Sequence, residues 1–229
     1  MLEYTQTNVR VNWIIARTKV RVKAERSCNF YLLGDDIVCG RYYIEEEDIT
    51  PELKKIIDAI SRKHSEGVKT SGEVFPSDTV PVIAGNKSLV PSVFAMKWGY
   101  TMPNKKLIIN ARSESAHQRA LFADGMERRR CVIPASRYFE WQESSSGKIK
   151  HGIFPNGMKM FYMAGIYRFE NDRPVFSILT KDANREIRFI HERMPVVLTS
   201  VGAAVWLDKR STLMDAMEIS DVEMNAVNA

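Results

Sequence analysis

The sequence predicts an α+β domain, mostly β, with a compact barrel-like core and a few peripheral helices. Two observations carry that expectation. Short apolar runs recur from residue 80 onward, each bounded by turn residues such as Pro76-Ser77-Asp78, Gly85-Asn86, Met102-Pro103-Asn104 and Pro155-Asn156-Gly157. Against these, a single long stretch carries a clear helical period: Leu53, Ile56, Ile57 and Ile60 fall at i, i+3, i+4 and i+7. Many short strands with few helices suit a barrel or a sandwich.

The elements follow in chain order. Residues 1–38 alternate basic and β-branched side chains, as in "VRVNWIIARTKVRVKAERS", and read as an N-terminal extension; the domain proper is expected over 39–229. Residues 39–48 read as a short strand running into the acidic turn Glu45-Glu46-Glu47-Asp48. A helix over 51–64 follows, with Thr50 as N-cap and Pro51 at its first position, where proline's fixed φ and missing N–H cost nothing. Strands are expected over 80–84, 88–97, 107–110, 130–141, 150–154, 159–167, 174–180 and 195–199, and short helices over 113–122, 200–207 and 211–218.

Composition narrows the function classes. The 229 residues are 45% hydrophobic and 27% charged, ordinary for a soluble chain with a core. No apolar run approaches the ~20 residues of a membrane helix, and the patch "VNWIIA" is too short for a secretory signal. A cytoplasmic monomer with no membrane partner is expected. The cysteines, Cys28, Cys39 and Cys131, have no metal-ligand spacing, so neither a metal nor a cofactor is expected. The net charge of +5 is compatible with a polyanionic partner.

Four stretches place polar residues where an apolar pattern would not. They are Cys39-Gly40-Arg41, Asn110 with Arg112 after a strand, Glu140 between Phe139 and Trp141, and His191 with Arg193 before a proline-led strand. Each has a plain structural reading: Cys39 as a small buried hydrophobe, Asn110 as a helix cap, Glu140 on a solvated strand face, His191 as a satisfied histidine, and the arginines as ion-pair partners. Together they form a candidate site for covalent chemistry on an anionic substrate. A thiol is a nucleophile, Glu and His shuttle protons, an amide donor stabilises an oxyanion, and guanidinium groups grip phosphates.

At the same stretches the sequence resembles the SOS response-associated peptidase family, whose members process abasic sites in DNA. The matching motifs are Cys39-Gly40-Arg41, Trp98-Gly99, Asn110-Ala111-Arg112-Ser113-Glu114, Phe139-Glu140-Trp141 and His191-Glu192-Arg193-Met194-Pro195. The resemblance implies a β-rich fold that binds single-stranded DNA and traps a ring-opened abasic site as a thiazolidine on a terminal cysteine. Cys39 would be the nucleophile, Asn110 would orient it, Glu140 would be the general acid and base, and His191 would assist proton transfer. Arg41 and Arg112 would contact phosphates; Trp98 and, in the loop after it, Lys105 and Lys106 are further candidate DNA contacts read from the sequence itself. The resemblance also implies that the thiol removes the residues before it.

Three departures qualify that picture. Cys39 is not the first residue, so 1–38 is expected to be a cleaved propeptide or the product of a mis-set start, Val38 being readable as an initiation codon. The loop after Trp98-Gly99, "YTMPNKK", is short, and the end "ISDVEMNAVNA" points to a truncated or divergent last strand. Two other function classes stay open here: a cysteine peptidase acting on other proteins, and a non-catalytic single-strand binding module using Trp98, Trp141 and the arginines.

Overall fold

The structure, a computed structural model, describes residues 38–47, 50–64 and 67–229. The expected extension lies outside these residues apart from Val38. The first half runs β1 (Arg41–Ile44), α1 (Pro51–Ser61), β2 (Gly72–Val74), β3 (Thr79–Gly85), β4 (Pro91–Trp98), β5 (Tyr100–Thr101), β6 (Leu107–Ile108) and β7 (Asn110–Arg112). Then come α2 (Ser113–Ala116), α3 (Ala120–Arg128), β8 (Arg130–Ala135), β9 (Arg137–Ser144), β10 (Gly147–Pro155), β11 (Phe161–Glu170) and β12 (Arg173–Asp182). The chain ends with β13 (Arg193–Pro195), β14 (Val197–Leu198), α4 (Ser200–Leu207), α5 (Leu213–Glu218) and β15 (Met224–Asn228).

The predicted α+β, mostly β class holds, and the core is a closed barrel. Strands β12, β4, β3, β8 and β11 pair in that order, and β11 pairs again with β12. Only the β12–β4 contact in this ring is parallel. Closure leaves no unpaired edge around the ring. A second sheet, ordered β15-β10-β9-β1-β2, lies beside it. Aromatic packing joins the two: the Tyr42 ring of β1 sits 5.2 Å from Trp98 of β4, and Trp98 stacks on Phe176 of β12 at 6.3 Å.

Several expected strands change at points with a physical cause. The run 130–141 is two strands because the chain leaves the barrel for the second sheet at Ser136. There the Ser136 N–H donates to the Tyr43 carbonyl at 2.8 Å, and its hydroxyl accepts from the Glu45 N–H at 3.0 Å. The run 195–199 divides at Val196, whose N–H bonds Leu179 of β12 while its carbonyl accepts from Ala164 of β11. The helix over 113–122 separates into α2 and α3. The final segment, expected to be truncated or divergent, forms a five-residue strand on β10. Strands β2 and β5 are too short to give a period and went unread.

Helix α1 is capped as its sequence dictates. Thr50 Oγ1 accepts from the Leu53 N–H at 3.2 Å, Pro51 opens the helix, and Leu53, Ile56 and Ile60 turn inward. Trp206 of α4 seals one side of the barrel, its indole N–H shared between the Cys131 and Gly165 carbonyls at 3.1 and 3.2 Å.

Gly165 of β11 is required by space. A Cβ there would lie 2.6 Å from Ile133 Cδ1 and 3.1 Å from both Cys131 Sγ and the Ser177 carbonyl. Gly165→Ala is therefore expected to destabilise the fold by about 1–3 kcal/mol through overpacking. A lowered urea midpoint with an unchanged denaturant slope would register it, and an unchanged midpoint would contradict it.

Candidate functional site

The site is built around one peptide bond, Val38–Cys39, where the two sheets meet. Asn110 arrives from the barrel side, carried by β7, which pairs in parallel with β12 at Ile178. Glu140 arrives from the second sheet on β9, which pairs with β1 through Arg41↔Phe139 and Tyr42↔Tyr138. The Asn110 side-chain N–H donates to the Val38 carbonyl. The Cys39 backbone N–H donates to Glu140 Oε1 at 2.5 Å. One peptide unit is thus gripped at both polar ends, by an amide on its oxygen and a carboxylate at its nitrogen. Cys39 itself is fully buried at φ +50°, in the left-handed region that costs a non-glycine residue roughly 1–2 kcal/mol. Its Sγ lies 3.6 Å from the Arg41 carbonyl.

Burial sets the electrostatics. Glu140 is 4% exposed, and loss of water pushes its carboxyl up to about 8, a rise that the Cys39 N–H bond partly opposes. The Cys39 thiol is held well above its ordinary value, first by burial and then by the neighbouring Glu140 charge. Burial thus favours the neutral form of both the carboxyl and the thiol. Tyr42 and Tyr138 sit opposite each other across β1 and β9, and among the described residues their buried hydroxyls have no hydrogen-bond partner; the sequence reading missed both. Both are raised by desolvation and by charge on Cys39, with Glu140 adding to Tyr138 and Asp78 to Tyr42.

A cavity of about 630 Å³ opens beside this bond, lined by Val38, Asn110, Arg112, Arg119, Thr180 and Arg193, among others. Arg193 is held rigidly there. It grips Glu114 through both guanidinium nitrogens at 2.8 and 2.9 Å, Asp182 at 2.5 Å and the Thr180 carbonyl at 2.9 Å. The Arg193 hydrogen bond holds the Glu114 carboxyl below its ordinary range. The Asn-Ala-Arg-x-Glu and His-x-Arg-x-Pro stretches are therefore tied by a bidentate ion pair. Arg119 and Thr180 were not read from sequence as parts of a site; Arg193 was, but without its bridge to Glu114.

The remaining expected residues distribute unevenly. His191 stands near the cavity's arginine in sequence but is not among its lining residues, and its Nδ1 accepts from the Arg193 N–H at 3.0 Å. The same Nδ1 lies 3.1 Å from the Arg193 carbonyl. Arg41 lies on the outer face of the second sheet, between the Phe75 and Trp141 rings at 4.7 and 5.1 Å. Lys105 and Lys106 are on the β5–β6 turn, where the Lys105 N–H closes onto the Met102 carbonyl at 2.8 Å. Trp98 requires a correction. Its indole is wholly buried, stacked on Phe176 and bonded to the Ile109 carbonyl at 3.2 Å, so it packs the two sheets together and offers no face to a base. Among the described residues no cluster of His, Cys, Asp and Glu is arranged to hold a metal.

The sequence model of the family described as SOS response associated peptidase (SRAP) matches residues 38–228. The chain is 29% identical over 196 residues to the abasic site processing protein YoqW of Bacillus subtilis, covering 79% of this chain and 85% of that protein. It is 28% identical over 129 residues to the abasic site processing protein YedK of Escherichia coli, covering 54% of this chain and 58% of that one. A crystal structure of a protein from Bacteroides thetaiotaomicron matches with a TM-score of 0.68 at 22% identity, covering 83% of this chain and 91% of that chain, a likeness of fold.

The raised Glu140 carboxyl gives a signed pH dependence. Between the ordinary carboxyl value, near 4.5, and about 8, the folded chain retains a proton that the unfolded chain has lost. Stability conferred by neutral Glu140 is thus full below the lower value and is lost as pH rises through this window, at a slope of at most about 1.4 kcal/mol per pH unit. In a Cys39→Ala chain, urea midpoints are expected to fall from pH 5 to pH 8. Adding Glu140→Gln is expected to flatten that fall. A midpoint that rises across the window, or an equal fall in both chains, would contradict the assignment.

Proposed function

The chain belongs to the SOS response associated peptidase family, and on that premise we propose that it captures abasic sites in single-stranded DNA covalently through Cys39, after cutting its own chain before that residue. The observation that carries this reading is the Val38–Cys39 peptide bond gripped between Asn110 and Glu140. The abasic site processing relatives support the substrate class.

The proposed cleavage uses each contact. Glu140, as its carboxylate, takes the thiol proton. The sulfur adds to the Val38 carbonyl carbon through a five-membered ring, and the developing oxyanion is held by the Asn110 side-chain N–H. As the C–N bond breaks, the protonated Glu140 returns its proton to the departing nitrogen it already touches. A thioester and a free α-amine result. Water then hydrolyses the thioester to a Val38 carboxylate and the Cys39 thiol. Left-handed strain at Cys39 is released with the bond.

The same groups then serve capture. An internal amide nitrogen is not nucleophilic, whereas an α-amine of reference pKa near 7.7–8.0 is partly neutral at physiological pH. The amine attacks the ring-opened sugar aldehyde, and loss of water leaves an imine. The thiol adds to the imine carbon, its proton goes to nitrogen, and a thiazolidine closes. This ring closure is intramolecular and gains a large proximity advantage. Glu140 moves the protons, with His191 assisting. Arg41 and Arg112 hold phosphates, and Lys105 and Lys106 extend the basic surface.

Intact mass distinguishes the two steps. The translated full chain is expected to shorten to Cys39 in the wild type, to stay intact as Cys39→Ala, and to shorten some 10²–10³-fold more slowly as Asn110→Ala, the usual cost of one oxyanion donor. Protein beginning at Cys39 is expected to gain the mass of an abasic oligonucleotide less one water. The proposal fails if no adduct forms, or if Cys39→Ala forms it equally.

A further inference from the structure

The outer face of the second sheet carries an array that the proposed chemistry does not use. By strand alternation and register, Arg41 of β1, Glu73 of β2, Phe139 and Trp141 of β9, and Lys150 of β10 share that face, opposite the face that buries Tyr42, Tyr138 and Glu140. Cations and rings interleave along it: Arg41 between Phe75 and Trp141, and Lys150 over Phe139 at 3.8 Å and Trp141 at 5.9 Å. At its centre one oxygen, Glu73 Oε1, accepts from Lys150 Nζ at 2.9 Å and from Arg41 at 3.4 Å. The two cations stand on strands separated by β9, and they converge on a single anionic atom.

We infer that Glu73 occupies, as an internal carboxylate, the place of a DNA phosphate between Arg41 and Lys150, so that an incoming strand must displace it. Four observations support this. The Arg41 guanidinium is held between two rings, so the fork is formed before any ligand arrives. Both cations are partly exposed, with side-chain accessibilities of 32% and 25%, as an exchangeable site requires. Solvent reaches all three groups and partly screens their attraction, so another anion can take the carboxylate's place. Asp78, the other acid nearby, differs in kind: it accepts the Phe75 backbone N–H at 3.0 Å and pairs with Lys69, which ties it to the turn. Among the described residues no backbone N–H donates to the Glu73 carboxylate; Lys69 holds the Glu73 backbone carbonyl instead.

This rests on the reading that Arg41 faces DNA, and it deepens it. Arg41 is two residues from Cys39, at most about 7 Å of chain. A phosphate seated there lies across the thickness of one sheet from the Cys39 adduct, within reach of the same strand. Competition from Glu73 keeps the affinity for undamaged strands low, so that retention depends on the covalent bond at Cys39 and not on the backbone grip.

The test measures binding of an undamaged thymidine oligonucleotide to protein beginning at Cys39, by fluorescence anisotropy over a salt series. Glu73→Gln is expected to bind about 3–10-fold tighter at low salt, with a log–log salt slope steeper by about 0.7, the increment for one more phosphate neutralised on a single strand. Glu143→Gln removes an equal charge from an exposed pair with Lys148 on the same sheet and controls for overall charge. Equal gains from both variants, or no gain from Glu73→Gln, would overturn the inference. Arg41→Ala separates the layers: if it weakens binding while Glu73→Gln does not strengthen it, the displaced-carboxylate inference alone fails. If Arg41→Ala has no effect, the reading that this face meets DNA fails with it. The gain from Glu73→Gln is also expected to vanish in the Arg41→Ala/Lys150→Ala background, and a gain that persists there would count against the inference.

Discussion

The site depends on one contact, the Glu140 carboxyl buried against the backbone nitrogen of Cys39. A carboxylate without water is costly, and the protein responds by raising its proton affinity to about 8. Such a group is acid and base in turn near neutrality. The architecture follows from the need to keep it dry. A closed barrel shields one side, the second sheet covers the other, and Tyr42, Trp98 and Phe176 fill the space between. Each large aromatic at the seam removes water that would otherwise return Glu140 to ordinary acidity.

The second sheet divides its labour by the two-residue period of a strand. Along β1, Tyr42 and Ile44 turn inward while Arg41 and Tyr43 turn out, and the burial alternates accordingly. On β9, Tyr138 and Glu140 share the inner face, and Phe139 and Trp141 the outer. A one-residue slip would move Glu140 into solvent and Trp141 into the core. The register is set by the inner aromatics and by Ser136, whose two bonds to Tyr43 and Glu45 fix where β9 begins. Reaction chemistry and surface charge are thus separated by the thickness of one sheet, although their residues alternate in the chain.

How far this was legible in the sequence follows from the range of each signal. Helix α1 was readable because its cap, proline and apolar stripe are local. Most barrel strands were readable from apolar runs and turns, but ring closure was not, since the β11–β12 and β12–β4 pairings join residues far apart in sequence. Cys39, Asn110 and Glu140 were found together only because polar residues interrupted apolar patterns at motif positions. Trp98 misled because a tryptophan beside a glycine gives the same signal whether it stacks on a base or on Phe176. The Tyr42–Tyr138 pair and the Arg193–Glu114 bridge left no trace in pattern: each needs a register or a fold before its partners become neighbours.

The same geometry explains why one carboxyl suffices for both proposed reactions. Cleavage replaces the Cys39 amide nitrogen by an α-amine without moving it, so Glu140 meets a new partner at the old position. The amine's reference pKa, near 7.7–8.0, lies close to the value of about 8 to which burial brings Glu140. Burial, which disfavours the carboxylate in the uncut chain, likewise disfavours an ammonium placed beside it, so the dry site works against charge on either partner. Addition to an aldehyde followed by loss of water needs a group that can take and return a proton near neutrality, the part proposed for Glu140. An exposed glutamate of ordinary acidity would hold the amine as its ammonium and leave it unreactive. The burial that makes Glu140 expensive to ionise is therefore the same property that keeps the nitrogen of Cys39 available.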